Sequence, residues 1–63
     1  PGYIDTDMTT DLSDKMREKI IKQIPLGRIG KTEEIAATTI FLTSDAAAYI
    51  TGQTIAVNGG LYM

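Results

Sequence analysis

Thr54-Ile55-Ala56-Val57 is the one run in this chain that reads as a β-strand. Ile55 and Val57 alternate with Thr54 and Ala56, Gln53 leads in, and Asn58-Gly59-Gly60 supplies the stop, so the last strand is expected over 53–57. A strand cannot stand alone, because each of its N–H and C=O groups needs a partner across a ladder. The rest of the chain carries helix and loop signals only. The sheet that 53–57 requires is therefore expected to be completed by other residues, and the chain to be part of a longer α/β protein. The start at Pro1, with no initiator Met, agrees with that expectation.

Size and composition narrow the choice further. A chain of 63 residues is at most one small domain. Domains of this size bury only about 60% of the surface of the unfolded chain and usually need disulfides, a metal or a partner. This sequence has no Cys and no His, which removes disulfides and the usual zinc ligands. The lack of Cys also suits a cytoplasmic protein, or an organellar matrix if a targeting segment stands upstream. Six Lys and Arg against eight Asp and Glu give a net charge of −2, with the two signs interleaved. No basic face for a nucleic acid is expected from that pattern. No apolar run approaches the roughly 18 residues that cross a bilayer, so no membrane partner is expected.

Along the chain, residues 1–12 are rich in Pro, Gly, Asp and Thr and read as loop. Ser13 is a good N-cap for a helix from Asp14 to about Gln23, with Met16, Ile20, Ile21 and Ile24 as its apolar stripe. Pro25 ends it, since the residue before proline avoids the α region. After Leu26-Gly27-Arg28-Ile29-Gly30, Thr32 can cap a second helix, 32–43, with Glu33 and Glu34 at its positive end. Ile35, Ala36, Ile40 and Leu42 supply most of that helix's apolar surface. Ser44-Asp45 can cap one more short turn, and Thr51-Gly52 reads as a turn.

Four motifs then stand in order: Pro1-Gly2-Tyr3-Ile4-Asp5-Thr6; Pro25-Leu26-Gly27-Arg28; Glu33-Glu34-Ile35-Ala36 with Phe41-Leu42-Thr43-Ser44-Asp45; and Tyr49-Ile50-Thr51-Gly52-Gln53 leading to Val57-Asn58-Gly59-Gly60. Together they resemble the C-terminal quarter of the short-chain dehydrogenase/reductase family. Within the family, Thr6-Asp7-Met8-Thr9 and the ending Asn58-Gly59-Gly60-Leu61-Tyr62-Met63 look most like the branch that reduces 3-oxoacyl groups carried on acyl carrier protein. The resemblance implies an α/β fold, a Rossmann-like doubly wound parallel sheet, of which this chain supplies the last part. It implies that residues 1–6 are the nicotinamide loop of a single NAD(P)-binding domain, that 7–24 form the substrate lid and that helix 32–43 packs on the sheet.

The cofactor roles follow by resemblance, residue by residue. Pro1 and Gly2 match the family's pair beside the nicotinamide. Ile4 matches the position whose backbone holds the carboxamide, and Thr6 the hydroxyl near the carboxamide or pyrophosphate. Tyr3 and Met8 belong to the lid, where they would line an acyl channel or simply pack. The implied cofactor is NADPH, with NADH an alternative because the 2′-phosphate discriminator lies upstream. A homotetramer is implied as well. The family's Ser and Tyr-x-x-x-Lys have no counterpart here: Tyr3 is followed four later by Asp7, and Tyr49 by Gln53. No catalytic residue is assigned, and these residues alone are expected to be inactive.

Other readings are weaker. Asp5, Asp7 and Asp11 hint at a calcium loop, but Thr10 and Met16 stand where that loop needs Gly and Glu, so no metal site is assigned. Helix-turn-helix recognition wants a turn of about 3–4 residues, shorter than the connector from Ile24 to Lys31. Met16 is expected to pack. Arg28 is expected in a structural salt bridge or carbonyl contact rather than on an anionic carrier. Gly59-Gly60 is expected to be closely packed backbone. Another dehydrogenase of the family, acting on a sugar or small alcohol, and a non-catalytic oligomer interface stand as alternatives.

Overall fold

The computed structural model describes residues 1–62, the Met8 side chain excepted. The described residues form three helices, α1 (Asp7–Thr10), α2 (Asp14–Gln23) and α3 (Thr32–Leu42), and a 3-10 turn, Asp45–Ala47.

α2 follows the expected bounds. The Ser13 hydroxyl accepts the Met16 N–H at 3.2 Å, with Asp14 in the first turn and Lys22 in the last. Ile24 leaves the helix at φ −94° and ψ 116°, the extended conformation that Pro25 imposes. Ile20 and Ile24 on this helix meet Ile29 from the connector; Leu12, Ile21 and Leu61 pack around them. Met16, expected in this core, is instead 48% exposed at the helix start. The backbone at 59–60 closes over the same cluster. Gly59, at φ +65°, lies so near Ile24 that a Cβ there would sit 2.8 Å from Ile24 Cγ2, and the backbone at Gly60 lies against Pro25. This is the close packing expected of the glycine pair.

α1 corrects the expected loop at 1–12. The Thr9 hydroxyl accepts the Thr6 N–H at 2.9 Å, while the Thr9 N–H donates to the Thr6 carbonyl, also at 2.9 Å. Those reciprocal bonds nucleate one turn. The start of α3 is also corrected: Lys31, not Thr32, is the N-cap residue. The Glu34 carboxylate accepts the Lys31 N–H at 2.9 Å, so Glu34 supplies the capping bond from inside the helix and Thr32 becomes its first residue.

The expected strand is the largest correction. Among the described residues no strand is present, and 53–57 run without a ladder. The physical reason is the lack of a partner: Val57 O accepts a single bond, from the Gly2 N–H at 2.9 Å. The α/β class expected from the sequence is thus seen here only in its helical parts and in one isolated parallel bridge, Ile4 with Gly30.

α3 buries none of its residues. Ile40 is 69% exposed, and Phe41 and Leu42 are exposed beside it. The Cα radius of gyration is 13.7 Å, where a compact chain of this length would have about 10.6 Å. The molecule is a slab of 43 × 24 × 15 Å with apolar residues on its surface.

Candidate functional site: the Tyr3–Thr6 loop and its cleft

Residues 2–6 are held from three directions. The Gly2 N–H donates to Val57 O. The Gly30 N–H donates to Tyr3 O at 2.9 Å, and the Asp5 N–H to Gly30 O at 2.8 Å. In an extended backbone, successive residues present their N–H and C=O to opposite sides. Tyr3 and Asp5 therefore face Gly30, and Gly2 and Ile4 face the other way. Gly2 spends its N–H on Val57. Among the described residues, neither the N–H nor the C=O of Ile4 is hydrogen-bonded, and neither is the Thr6 hydroxyl.

Gly2 makes this arrangement possible, and Gly30 leaves room for the Ile4 side chain. A Cβ on Gly2 would lie 2.8 Å from Asn58 Cβ and 2.9 Å from Asn58 Cα, so Gly2 is fixed by packing against the end of the chain. A Cβ on Gly30 would meet Ile4 Cδ1 at 2.9 Å. Asn58 itself is held in a turn: its Oδ1 accepts the Gly60 N–H at 3.0 Å and its Nδ2 donates to Tyr62 O at 3.1 Å.

A cleft of about 460 Å³ opens between Tyr3-Ile4, Pro25-Leu26 and Ala56–Gly60, with Arg28 and Glu34 in its wall. Its size is within the range of small-molecule sites. A second hollow of about 170 Å³ is lined by Gly2, Tyr3, Leu61 and Tyr62. Of the residues singled out in the sequence, Ile4 and Tyr3 line the larger cleft, and Gly2 and Tyr3 the smaller. Pro1 and Thr6 line neither; Thr6 is exposed at the N-cap of α1. The Met8 side chain and Met63 lie outside the described residues.

Two arginines fasten the elements. Arg28 grips Glu34 with both arms of its guanidinium, at 2.7 Å each, and reaches the Ile29 carbonyl at 3.4 Å. This is the structural pairing expected of Arg28, now with its partner identified. The guanidinium, helped by the Lys31 N–H, holds the Glu34 carboxyl down to about 2 from an ordinary 4.5, and Glu34 in turn raises the Arg28 pKa. Arg17, from α2, donates to the Thr9 carbonyl and to Asp5 Oδ1, both at 3.2 Å. Nothing in the sequence spacing signalled Arg17, because its partners lie 8 and 12 residues away and outside the helix register.

The described residues hold no cluster of three or more potential metal-binding side chains. None of their helices is long and apolar enough to cross a membrane.

Comparison with known proteins places this geometry. The family model described as Enoyl-(Acyl carrier protein) reductase matches residues 1–62. The chain is 60% identical over 63 residues to the 3-oxoacyl-[acyl-carrier-protein] reductase of Pseudomonas aeruginosa, and 59% identical to that of Escherichia coli K12. It is covered completely in both comparisons and spans 26% of each relative's length. A crystal structure from Brucella melitensis, a short-chain dehydrogenase/reductase named glucose/ribitol dehydrogenase, superposes on the whole chain with a TM-score of 0.90 at 49% identity, again over 26% of the longer protein. A family match along nearly the whole chain, joined to a backbone that overlays a solved member from end to end, makes this chain a member of the short-chain dehydrogenase/reductase family.

Proposed function

We propose that this chain forms the nicotinamide loop (1–6), substrate lid (7–24) and packing helix (32–43) of a single NAD(P)-binding domain, with 53–57 pairing as its last strand only where the rest of the sheet is present. The complete enzyme reduces 3-oxoacyl groups on acyl carrier protein with NADPH, in fatty-acid biosynthesis. One observation carries the cofactor part: the Ile4 N–H, Ile4 C=O and Thr6 hydroxyl are unbonded in a loop held in place through the Gly2 N–H, Tyr3 C=O, Asp5 N–H and both backbone groups of Thr6. A carboxamide offers an acceptor oxygen and a donor NH₂, and an N–H, a C=O and a hydroxyl answer both. When bound, the nicotinamide supplies the hydride. Pro1 and Gly2 limit how the loop meets the ring, Ile4 and Thr6 fix its orientation, and Tyr3 and Met8 line the acyl path. The lid excludes water from the reacting groups. The proton donor belongs to other residues of the domain.

The substrate reading is supported by the names and identities of the Pseudomonas aeruginosa and Escherichia coli relatives. A homotetramer and a cytoplasmic setting go with that reading. The Brucella melitensis protein, by its name, favours a second one, a polyol or sugar dehydrogenase. A chimera separates the two: the matched 63 residues of the Pseudomonas aeruginosa reductase are replaced by this sequence. The chimera is expected to oxidise NADPH with a 3-oxoacyl-carrier substrate at a rate within about tenfold of the parent. Preference for ribitol or glucose over the 3-oxoacyl-carrier substrate would establish the second reading. A folded chimera that binds neither cofactor would sink the cofactor assignment altogether.

A further inference from the structure

The Arg17 contacts form one connected network. Asp5 Oδ1 accepts from Arg17 Nη2 at 3.2 Å and from the Thr9 hydroxyl at 3.3 Å. The Thr9 hydroxyl accepts the Thr6 N–H at 2.9 Å and lies 2.8 Å from the Thr6 carbonyl. Arg17 Nη1 closes the ring on the Thr9 carbonyl. Arg17 stands one turn before Ile20 and Ile21, on the side of α2 that enters the isoleucine core. Its backbone is therefore fixed, and its guanidinium reaches from that fixed post across α1 to the loop. With the Thr6 N–H and C=O both occupied inside this network, the Thr6 hydroxyl is the group left over.

We propose that Arg17 is a positioning residue. Through Asp5 and Thr9 it latches α1 and α2 to the cofactor loop and so sets where the Ile4 backbone and the Thr6 hydroxyl stand. This inference rests on the reading of residues 1–6 as the nicotinamide loop. It assigns no contact between Arg17 and the cofactor. The latch is partly open to water, with the Arg17 and Asp5 side chains 30% and 52% exposed. It is therefore a weak, salt-sensitive fastening that can release without unfolding the core.

The chimera provides the test, with Arg17→Ala, Arg17→Lys, Asp5→Asn and the Arg17→Ala/Asp5→Asn pair. NADPH affinity is read by fluorescence titration. Amide exchange at Thr6 and Thr9 is read without cofactor. Arg17→Ala is expected to weaken NADPH binding about fivefold, the upper end for a partly exposed ion pair. Exchange at Thr6 should accelerate, and the KM for NADPH should rise by more than kcat falls. Arg17→Lys keeps the charge but not the fork, and should recover part of the loss. Asp5→Asn should cost less in the Arg17→Ala background than alone. Unchanged NADPH affinity in Arg17→Ala, or a lowered melting temperature with affinity intact, would reduce Arg17 to a structural role and overturn the proposal. If the chimera binds no NADPH, the cofactor reading fails by itself. The exchange data then decide the latch: faster exchange at Thr6 upholds it, and unchanged exchange ends it.

Discussion

The region built on α2 and the region built on α3 are of similar length but solve the burial problem in opposite ways. Around α2, Ile20, Ile24 and Ile29 find one another, Leu61 covers them, and glycines at 59 and 60 let the backbone close in. Around α3, Ile40, Phe41, Leu42, Tyr49, Ile50 and Ile55 all remain exposed, Tyr49 fully. α3 is held internally instead. Thr38 and Thr39 donate to the Glu34 and Ile35 carbonyls, and Arg28 pins the first turn through Glu34. One region thus carries its own core, and the other carries apolar faces suited to a neighbour.

Core truncation should break the comparison most visibly. In the chimera, Ile24→Ala, at a site 4% exposed, should cost about 2–5 kcal/mol by urea unfolding. Ile40→Ala is the sharper half of the pair. In the 63-residue chain, where Ile40 is 69% exposed, it should change helicity very little. In the chimera it should cost several kcal/mol if the α3 face is covered there. Equal, small effects in both settings would mean that α3 has no apolar neighbour.

Glycine substitutions give the next largest difference. Gly52 and Gly59 share a positive φ, +70° and +65°, but Gly52 has open space where Gly59 has Ile24. Gly52→Ala should cost roughly 1–2 kcal/mol, the left-handed penalty alone. Gly59→Ala should cost clearly more, because the methyl also displaces Ile24, and the same unfolding series measures both.

The smallest effect is electrostatic. A carboxyl held down to about 2 in the folded state stabilises fully above its ordinary value of 4.5, and that contribution disappears as pH falls from there through about 2. The melting temperature of the chimera should therefore drop more steeply over that window than that of its Glu34→Gln variant. Parallel curves would show that the Arg28 pairing adds nothing to stability.

The sequence was legible where the signals were local. Ser13 and Pro25 bracket α2 within a few residues of each other's influence, and the observed bounds follow. α1 escaped because Asp5–Thr10 is polar and short. Its one signal was a threonine three residues after a threonine cap, a weaker form of the usual capping pair. Lys31 took the cap from Thr32 because Glu34 could serve the Lys31 N–H and Arg28 together. The segment 53–57 has the right alternation for a strand, but no ladder partner stands beside it among the described residues. Of the candidate site, the loop was singled out by a readable motif. The Arg17 latch was not, since it joins residues with no periodic relation.

The Gly2–Val57 hydrogen bond has a consequence for timing. It joins positions at nearly opposite ends of the chain, so it closes almost the largest loop this sequence can form, at an entropic cost no local contact shares. Such contacts form late in folding. On the ribosome the delay is also physical: at roughly 5–20 residues per second, several seconds separate the emergence of Gly2 from that of Val57. Until then the Tyr3–Thr6 loop can hold the contacts made from Thr9, Thr10, Arg17 and Gly30, but not the one from Val57. Those earlier contacts are the ones that keep the loop in register while it waits.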